Sequence, residues 1–339
     1  MNLLILTQKV DKNDDNLGFF HRWLEQFSKN TGKLFVVANY LGNYALPPNV
    51  RLESLGREKG LGRIRRYLNF YKYLFEILPK TDAIFVHMIP AWVILVWPIA
   101  LIFRKKIYLW YTHKSVTFSL RLAETLVEKI FTASTESCRL DSKKIIITGH
   151  GIDTEYFKPK DLPKNSESLK ILSVGRITLS KDYEFLLEVM GVVKTRGYDA
   201  VLDVVGAPMT SADFSYKNKL DDLIKKKSLQ NIVNFIGPKT YAEMPDVYSS
   251  HDILLHASET GSLDKAVLEA MSCALPVVTT SEAFYKILPD RYLVKQKNPR
   301  AMAERIVRLK FMGKDLSLRK TIAQNHNLNN LVEKIVVNL

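Results

Sequence analysis

The sequence predicts an α/β protein built from two doubly wound parallel-sheet domains facing a cleft. Three observations carry this expectation. Short apolar runs alternate with amphipathic stretches along nearly the whole chain. Those runs are continuously apolar, as in strands covered on both faces. They form two series, separated by a polar, charged stretch at 158–168. At 339 residues, 47% apolar and 25% charged, the chain has the size and mix of about two globular domains. That excludes a disordered, collagen-like or low-complexity protein.

In the first series LLILT (3–7), KLFVVA (33–38), AIFVH (83–87), KIYLWY (106–111), KIFTAS (129–134) and KIIITG (144–149) read as strands. Helical spacing falls between several of them, at 18–29, 61–78 and 117–128. In the second series ILSVG (171–175), AVLDVVG (200–206), IVNFIG (232–237), DILLH (252–256) and LPVVTT (275–280) again alternate with helices. The expected domains are 1–163 and 164–325, with a linker near 159–168. A last helix in 326–339 is expected to pack back towards the N-terminal domain. The apolar stretch 83–103 is long enough to span a bilayer, but Pro90, Pro98 and His87 interrupt it. A buried strand followed by a buried helix accounts for it.

The net charge is +14. Residues 1–163 carry 24 basic and 15 acidic side chains, net +9; the remainder carries 25 and 20, net +5. Such an excess suits an anionic membrane face, phosphorylated substrates or nucleic acid. No helix-turn-helix, zinc-ligand or RRM signature supports nucleic acid. Residues 57–76 carry six cations and two anions, with Leu61, Ile64, Leu68, Tyr71, Phe75 and Leu78 at helical spacing. This stripe either packs into its own domain or lies on an anionic membrane. Cys138 and Cys273 stand far apart, so no disulfide framework or thiolate metal cluster is expected. The first residues, Met1 to Thr7, carry no secretory-signal pattern. A cytoplasmic protein, peripheral on the inner membrane face, is the expectation.

Two segments carry chemistry. In SVGRITLSKDYEFLLEVM (173–190) a strand ends at Gly175, and Arg176 and Lys181 sit in the loop before a helix capped by Ser180 or Asp182. Cations at the carboxyl end of a parallel strand suit a pyrophosphate; they are equally ordinary solvated loop charges. In HASETGSLDKAVLEAMSCALPVV (256–278) a Thr-Gly-Ser turn precedes a helix expected from Leu263, with Ser262 as its N-cap. Free N–H groups there favour phosphate. Glu269, two turns into the helix, can accept hydrogen bonds from ribose hydroxyls.

The order GR…K then LEAMSCALPVV, with GHGIDTEYFKP (149–159), resembles the retaining nucleotide-sugar glycosyltransferases of family 4, which have the GT-B fold of two Rossmann-like domains. The similarity extends over TQKVDKNDDNLGFFHRWLEQF (7–27) and LWYTHKS (109–115). It implies a donor site in which Arg176 and Lys181 bind the diphosphate and Glu269 the ribose. Gly261, Ser262, Leu263 and Lys265 form its turn, with Gly237 at the base pocket. It further implies an acceptor-side loop at Gly18, flanked by Asp14, Asp15 and His21, and His113 near the reacting sugar. His87 and His150 are further strand-end histidines, and any of these histidines can instead be structural. The family's second glutamate, eight positions before Glu269, is replaced by Gly261, and TGSLDK resembles a TGSxDK-type subgroup. Asp264, then Glu259, are the candidates for the missing acidic role; Asp264 equally suits the first turn of a helix.

No D-x-D occurs in the chain, so no carboxylate-clamped metal is expected, and no cofactor beyond the donor. The expected activity is transfer of a hexose from a nucleotide diphosphate sugar to a glycan or lipid-linked acceptor in polysaccharide biosynthesis. A sugar-nucleotide epimerase of the same fold and a basic nucleic-acid-binding protein are the alternatives.

Overall fold

The computed structural model describes residues 1–162 and 168–339. The chain forms two compact units, 1–153 with 326–339, and 154–325. The expected junction at 163 and 164 lies outside the described residues; 154–162 belong to the second unit. There Phe157 is fully buried, edge-on to Tyr241 and Tyr248.

In the first unit the elements run β1 (Leu3–Val10), α1 (Phe19–Lys29), β2 (Leu34–Leu41), β3 (Val50–Ser54), α2 (Arg63–Ile77), β4 (Ala83–His87), α3 (Pro90–Ile102), β5 (Lys106–Trp110), α4 (Phe118–Leu126), β6 (Lys129–Thr132) and β7 (Ile145–Ile147). The sheet order is β3-β2-β1-β4-β5-β6-β7, and every pairing is parallel. The chain reverses its direction of spread between β1 and β4, the switch point where open α/β sheets bind ligands. Leu4, Leu6, Phe35 and Val37 face α2 and α3 across one core, with Phe70, Leu74, Ile77, Val93 and Val96. The segment 83–103 is a strand and then a helix, and no helix among the described residues is long and apolar enough to cross a membrane. β3 was not foreseen. Every residue of its VRLES is half-buried, as at a sheet edge, and its charges blur the apolar signal.

On α2 the inward face is rotated away from the expected stripe, of which Leu78 is fully buried and Tyr71 packs against the core. Phe70, Leu74 and Ile77 are buried, whereas Ile64, Leu68 and Phe75 of the expected stripe are 77%, 65% and 50% exposed.

The second unit runs β8 (Leu169–Val174), α5 (Tyr183–Thr195), β9 (Ala200–Val205), α6 (Ser211–Lys226), β10 (Val233–Gly237), α7 (Met244–Ser249), β11 (Ile253–His256), α8 (Lys265–Ser272), β12 (Val277–Thr279), α9 (Pro299–Leu309) and α10 (Leu316–Asn325). Its sheet is parallel, ordered β10-β9-β8-β11-β12, with the switch point between β8 and β11. The chain then returns to the first unit as α11 (Leu328–Val337). That return is tied to the GHGID segment. Ile152 N–H donates to His326 O, Leu328 N–H to Ile152 O (2.9 Å), and His150 N–H to His326 Nδ1 (3.2 Å).

Candidate functional site

The second unit gathers its charged groups at the carboxyl ends of β8 and β11, on either side of the switch point. β8 leads into a loop at Gly175, whose φ of +153° puts it in the region glycine favours. A Cβ there would lie 3.0 Å from Lys181 Cε, so the lysine stem lies over bare backbone. Gly206, at the end of β9 with φ +145°, approaches the same turn; its Cβ would sit 2.0 Å from Gly175 O. Only glycine fits there. Arg176 projects from this loop, exposed and without an ion pair or hydrogen bond among the described residues. Asp182 caps α5 through Phe185 N–H (3.4 Å), from a left-handed conformation.

Lys181 forms an ion pair with Asp264, whose same oxygen receives His256 Nε2 at 3.1 Å. Burial alone would raise the Asp264 carboxyl, but the Lys181 ammonium and the His256 hydrogen bond outweigh it and hold the carboxyl well below its usual range. The other His256 nitrogen, Nδ1, lies 2.8 Å from Thr279 Oγ1, which accepts Ser281 N–H. A carboxylate only accepts, so Nε2 carries the proton and the hydroxyl donates to Nδ1. Burial, which depresses the His256 pKa, agrees with this neutral tautomer.

Asp264, not Ser262, is the N-cap residue of α8, and the helix begins at Lys265 rather than Leu263. The physical reason is the pairing just described. Turned towards Lys181 and His256, the Asp264 side chain makes no cap hydrogen bond to the helix. The N-terminus of α8 thus keeps its positive partial charge uncapped by a side chain. Ser262 and Leu263 lie in the turn before it, after Gly261 at φ +64°.

Glu269 is buried on α8. Its Oε2 accepts from the Tyr248 hydroxyl (3.0 Å), and its Oε1 pairs with Lys265 (3.3 Å). Burial pushes its carboxyl above the ordinary value, partly offset by Lys265 and Tyr248. Each oxygen keeps lone-pair capacity for a ligand hydroxyl. Lys265 also lies 5.1 Å from the Tyr241 ring centroid, and Tyr241 stacks on Tyr156 at 5.4 Å. The segment after Gly237 therefore reaches the first turn of α8. Gly237 itself ends β10, two strands from β8. Glu259 N–H donates to Ser180 O (2.9 Å), joining the two loops, and Lys297 pairs with Glu259 (2.6 Å) and with Asp182. A pocket of about 240 Å³ opens beside them, lined by Ser258, Glu259, Gly261, Ser281 and Lys297 among others.

The structure thus brings Lys181, Asp264, Lys265 and Glu269 into one charged constellation, with Arg176 on its loop. The sequence reading missed His256, Tyr241, Tyr248 and Lys297. His256 had a signal, the same strand-end position that singled out His113.

The residues expected on the acceptor side belong to the first unit. Gly18 precedes α1 with helical φ, so it is not there for a left-handed turn. Asp15 is exposed beside it. Asp14 accepts from Lys9 and from Asn16 and Leu17 N–H, which overcome its burial and lower its pKa. His21 is buried: Nε2 accepts Ala45 N–H (3.1 Å) and Nδ1 faces Glu25 (3.2 Å). His87 stacks on Phe20 at 3.9 Å and bonds Thr7 (3.2 Å). His113 sits exposed in the loop after β5, its Nδ1 accepting Ser115 N–H (3.1 Å). Among the described residues no three His, Cys, Asp or Glu side chains are grouped as metal ligands.

Several known proteins are similar to this chain in sequence or fold. The chain is 30% identical over 156 residues to a phosphatidylinositol N-acetylglucosaminyltransferase subunit of Arabidopsis thaliana, covering 46% of this chain and 34% of that protein. It is 26% identical over 174 residues to a putative colanic acid biosynthesis glycosyltransferase, WcaL, of Escherichia coli, covering 48% and 41%. The matches thus span between a third and a half of these relatives' length. Among solved structures, Anabaena HepE in complex with UDP covers 100% of this chain and 99% of its own at a TM-score of 0.76 and 14% identity, and HepE is also solved with UDP-glucose. At that identity the likeness speaks for the fold, a two-domain Rossmann-like GT-B architecture. The family model of glycosyl transferases group 1 matches residues 155–327, just over half the chain, and takes in the constellation around Lys181, Asp264 and Glu269; the chain belongs to that family.

Proposed function

We propose that the protein is a retaining glycosyltransferase of the TGSxDK-type subgroup of family 4. It moves a hexose from a nucleotide diphosphate sugar to a glycan or lipid-linked acceptor, without a metal. The observation that carries this reading is the pairing of Lys181 with Asp264 at the open N-terminus of α8, little more than one turn before buried Glu269. The diphosphate lies on Arg176, Lys181 and the α8 N-terminus, which offset the charge of the leaving group. Glu269 holds the ribose, and the segment from Gly237 to Tyr241 faces the base. Asp264 takes the acidic role of the glutamate absent at Gly261, facing the sugar when the phosphates claim Lys181. His113 hydrogen-bonds a sugar hydroxyl through Nε2. The UDP and UDP-glucose complexes of HepE make uridine the first base to test.

The exposed stripe Ile64, Leu68 and Phe75, flanked by Arg63, Arg65 and Lys72, favours a lipid-linked acceptor met at an anionic membrane. The relative whose name carries phosphatidylinositol points the same way.

Incubation with labelled nucleotide sugars tests the reading: transfer or slow hydrolysis supports it, an epimerised sugar or no turnover rejects it. Activity is expected to survive EDTA. Liposome flotation tests the membrane contact, which is expected to need anionic lipid and to fade with salt.

A further inference from the structure

The first unit holds a second polar site at the carboxyl ends of its strands. Leu4 and Leu6 of β1, and Phe35 and Val37 of β2, point into the core on one face. Two residues further along each strand the same face carries Gln8 and Asn39. The apolar face turns polar where the sheet meets its switch point. Gln8 and Asn39 line a cavity of about 180 Å³ with Arg63 and Arg66 of α2, Tyr67 and Trp92. That is room for about six waters, too small for a sugar nucleotide and right for one compact group.

Among the described residues no acidic side chain lines the cavity. Arg66 commits Nη1 to the neutral amide oxygen of Asn39 (2.8 Å). Its Nε is buried without a hydrogen-bond partner. Arg63 has no ion pair or hydrogen bond among the described residues. Nearby carboxylates are engaged elsewhere: Glu58 with Ser54 (2.7 Å) and Leu41 N–H (3.2 Å), Glu53 and Glu76 with Arg51. Asn39 fixes one arm of the guanidinium fork, and Nη2, which makes no hydrogen bond among the described residues, is left to donate to an oxygen of a phosphate or carboxylate.

We propose that this cavity is an oxyanion subsite, in which Arg66, assisted by Arg63, holds a phosphate-type group against Trp92. Resting on the transferase reading, it gives the acceptor's class: a molecule that carries a phosphate, either as a lipid headgroup or as a soluble phosphate ester.

The test titrates the full chain with inorganic phosphate at constant ionic strength, by calorimetry and Trp fluorescence, and measures UDP binding in parallel. Arg66→Met keeps the stem and removes the fork; Asn39→Asp keeps Arg66 and sets a carboxylate against it. Each is expected to weaken phosphate binding at least about tenfold, Arg63→Ala less, with UDP binding and melting temperature unchanged. Phosphatidylcholine vesicles with and without phosphatidic acid separate the two sources. Flotation lost in Arg66→Met assigns a lipid headgroup; flotation retained with phosphate binding lost assigns a soluble ester. Wild-type chain that binds no phosphate, or equal affinities in wild type, Arg66→Met and Asn39→Asp, overturns the proposal. Absent UDP binding alongside intact phosphate binding would instead sink the uridine-donor reading and leave this subsite standing.

Discussion

The two units differ in how they treat most charged groups at their strand ends, Lys9 with Asp14 in the first and unpaired Arg176 in the second being the exceptions. In the second unit the cations Lys181, Lys265 and Lys297 each have a carboxylate: Asp264, Glu269, and Asp182 with Glu259. In the first unit the strand ends and the segment packed beside them carry buried histidines, His21, His87, His150 and His326. They also carry Arg63 and Arg66, which meet no carboxylate among the described residues. Paired charges hold each other's rotamers in the free protein; Arg63 and Arg66 have no such carboxylate partner among the described residues. The family model covers the paired site and stops short of the other.

The largest expected effect lies in acid stability. His326, buried and accepting His150 N–H, has its pKa pushed down to about 4 by burial, with Lys334 adding to the shift. Unfolded, it titrates near 6.5. Its folded pKa is depressed, so the unfolded chain binds the extra proton and acid favours unfolding. Its contribution is complete above about pH 6.5 and is lost between 6.5 and 4, amounting to about 3 kcal/mol at most. All four tryptophans, Trp23, Trp92, Trp97 and Trp110, lie in the first unit, so their fluorescence reads that unit alone. Denaturant unfolding followed by Trp emission is expected to weaken across this window and to flatten in His326→Gln. Equal slopes in both proteins would remove His326 from the account.

Next in size is Lys181→Ala. Loss of a charge-assisted contact to the diphosphate is expected to cost about 2 kcal/mol, roughly thirtyfold in affinity. The monophosphate, lacking the second charge, is expected to lose less. Equal losses for UDP and UMP, measured by calorimetry, would contradict the assignment. Glu269→Gln is expected to weaken nucleotide binding about tenfold. Glutamine is the better probe than alanine because Glu269 also satisfies Tyr248 and Lys265 in the core. Alanine would confound binding with an unpaired buried hydroxyl. Unchanged affinity in Glu269→Gln, with the melting temperature kept, rejects the ribose role.

The fold was legible because continuous apolar strands and helical spacing both survive in the sequence. What escaped were features decided by neighbours. β3 pairs only at an edge, where charged and half-buried residues suffice. On α2 two apolar faces compete, Ile64–Leu68–Phe75 and Phe70–Leu74–Ile77, and spacing alone cannot say which turns inward. The N-cap of α8 was misplaced because a serine is the ordinary cap, whereas here Asp264 holds the position for pairing with Lys181 across 83 residues of sequence. Lys181, Glu269 and the Gly-rich turns were legible as residues. Their mutual neutralisation was not, since it depends on which strand ends become neighbours at the switch point.

The smallest effect tests that neutralisation directly. In the free protein Lys181 is held by Asp264, so an arriving diphosphate must compete with a carboxylate for the same ammonium. Asp264→Asn keeps the size and the hydrogen-bond reach to His256 but removes the charge. Lys181 is then free for phosphate, and a negative charge no longer repels it. UDP is expected to bind a few-fold tighter, about 1 kcal/mol or less at this half-open site, while turnover of the nucleotide sugar falls. Affinity and rate moving in opposite directions would show that the pair costs ground-state binding and serves the reaction. If affinity falls together with turnover, Asp264 is a positioning residue for the α8 turn, and the contrast between the paired and unpaired units loses its functional meaning.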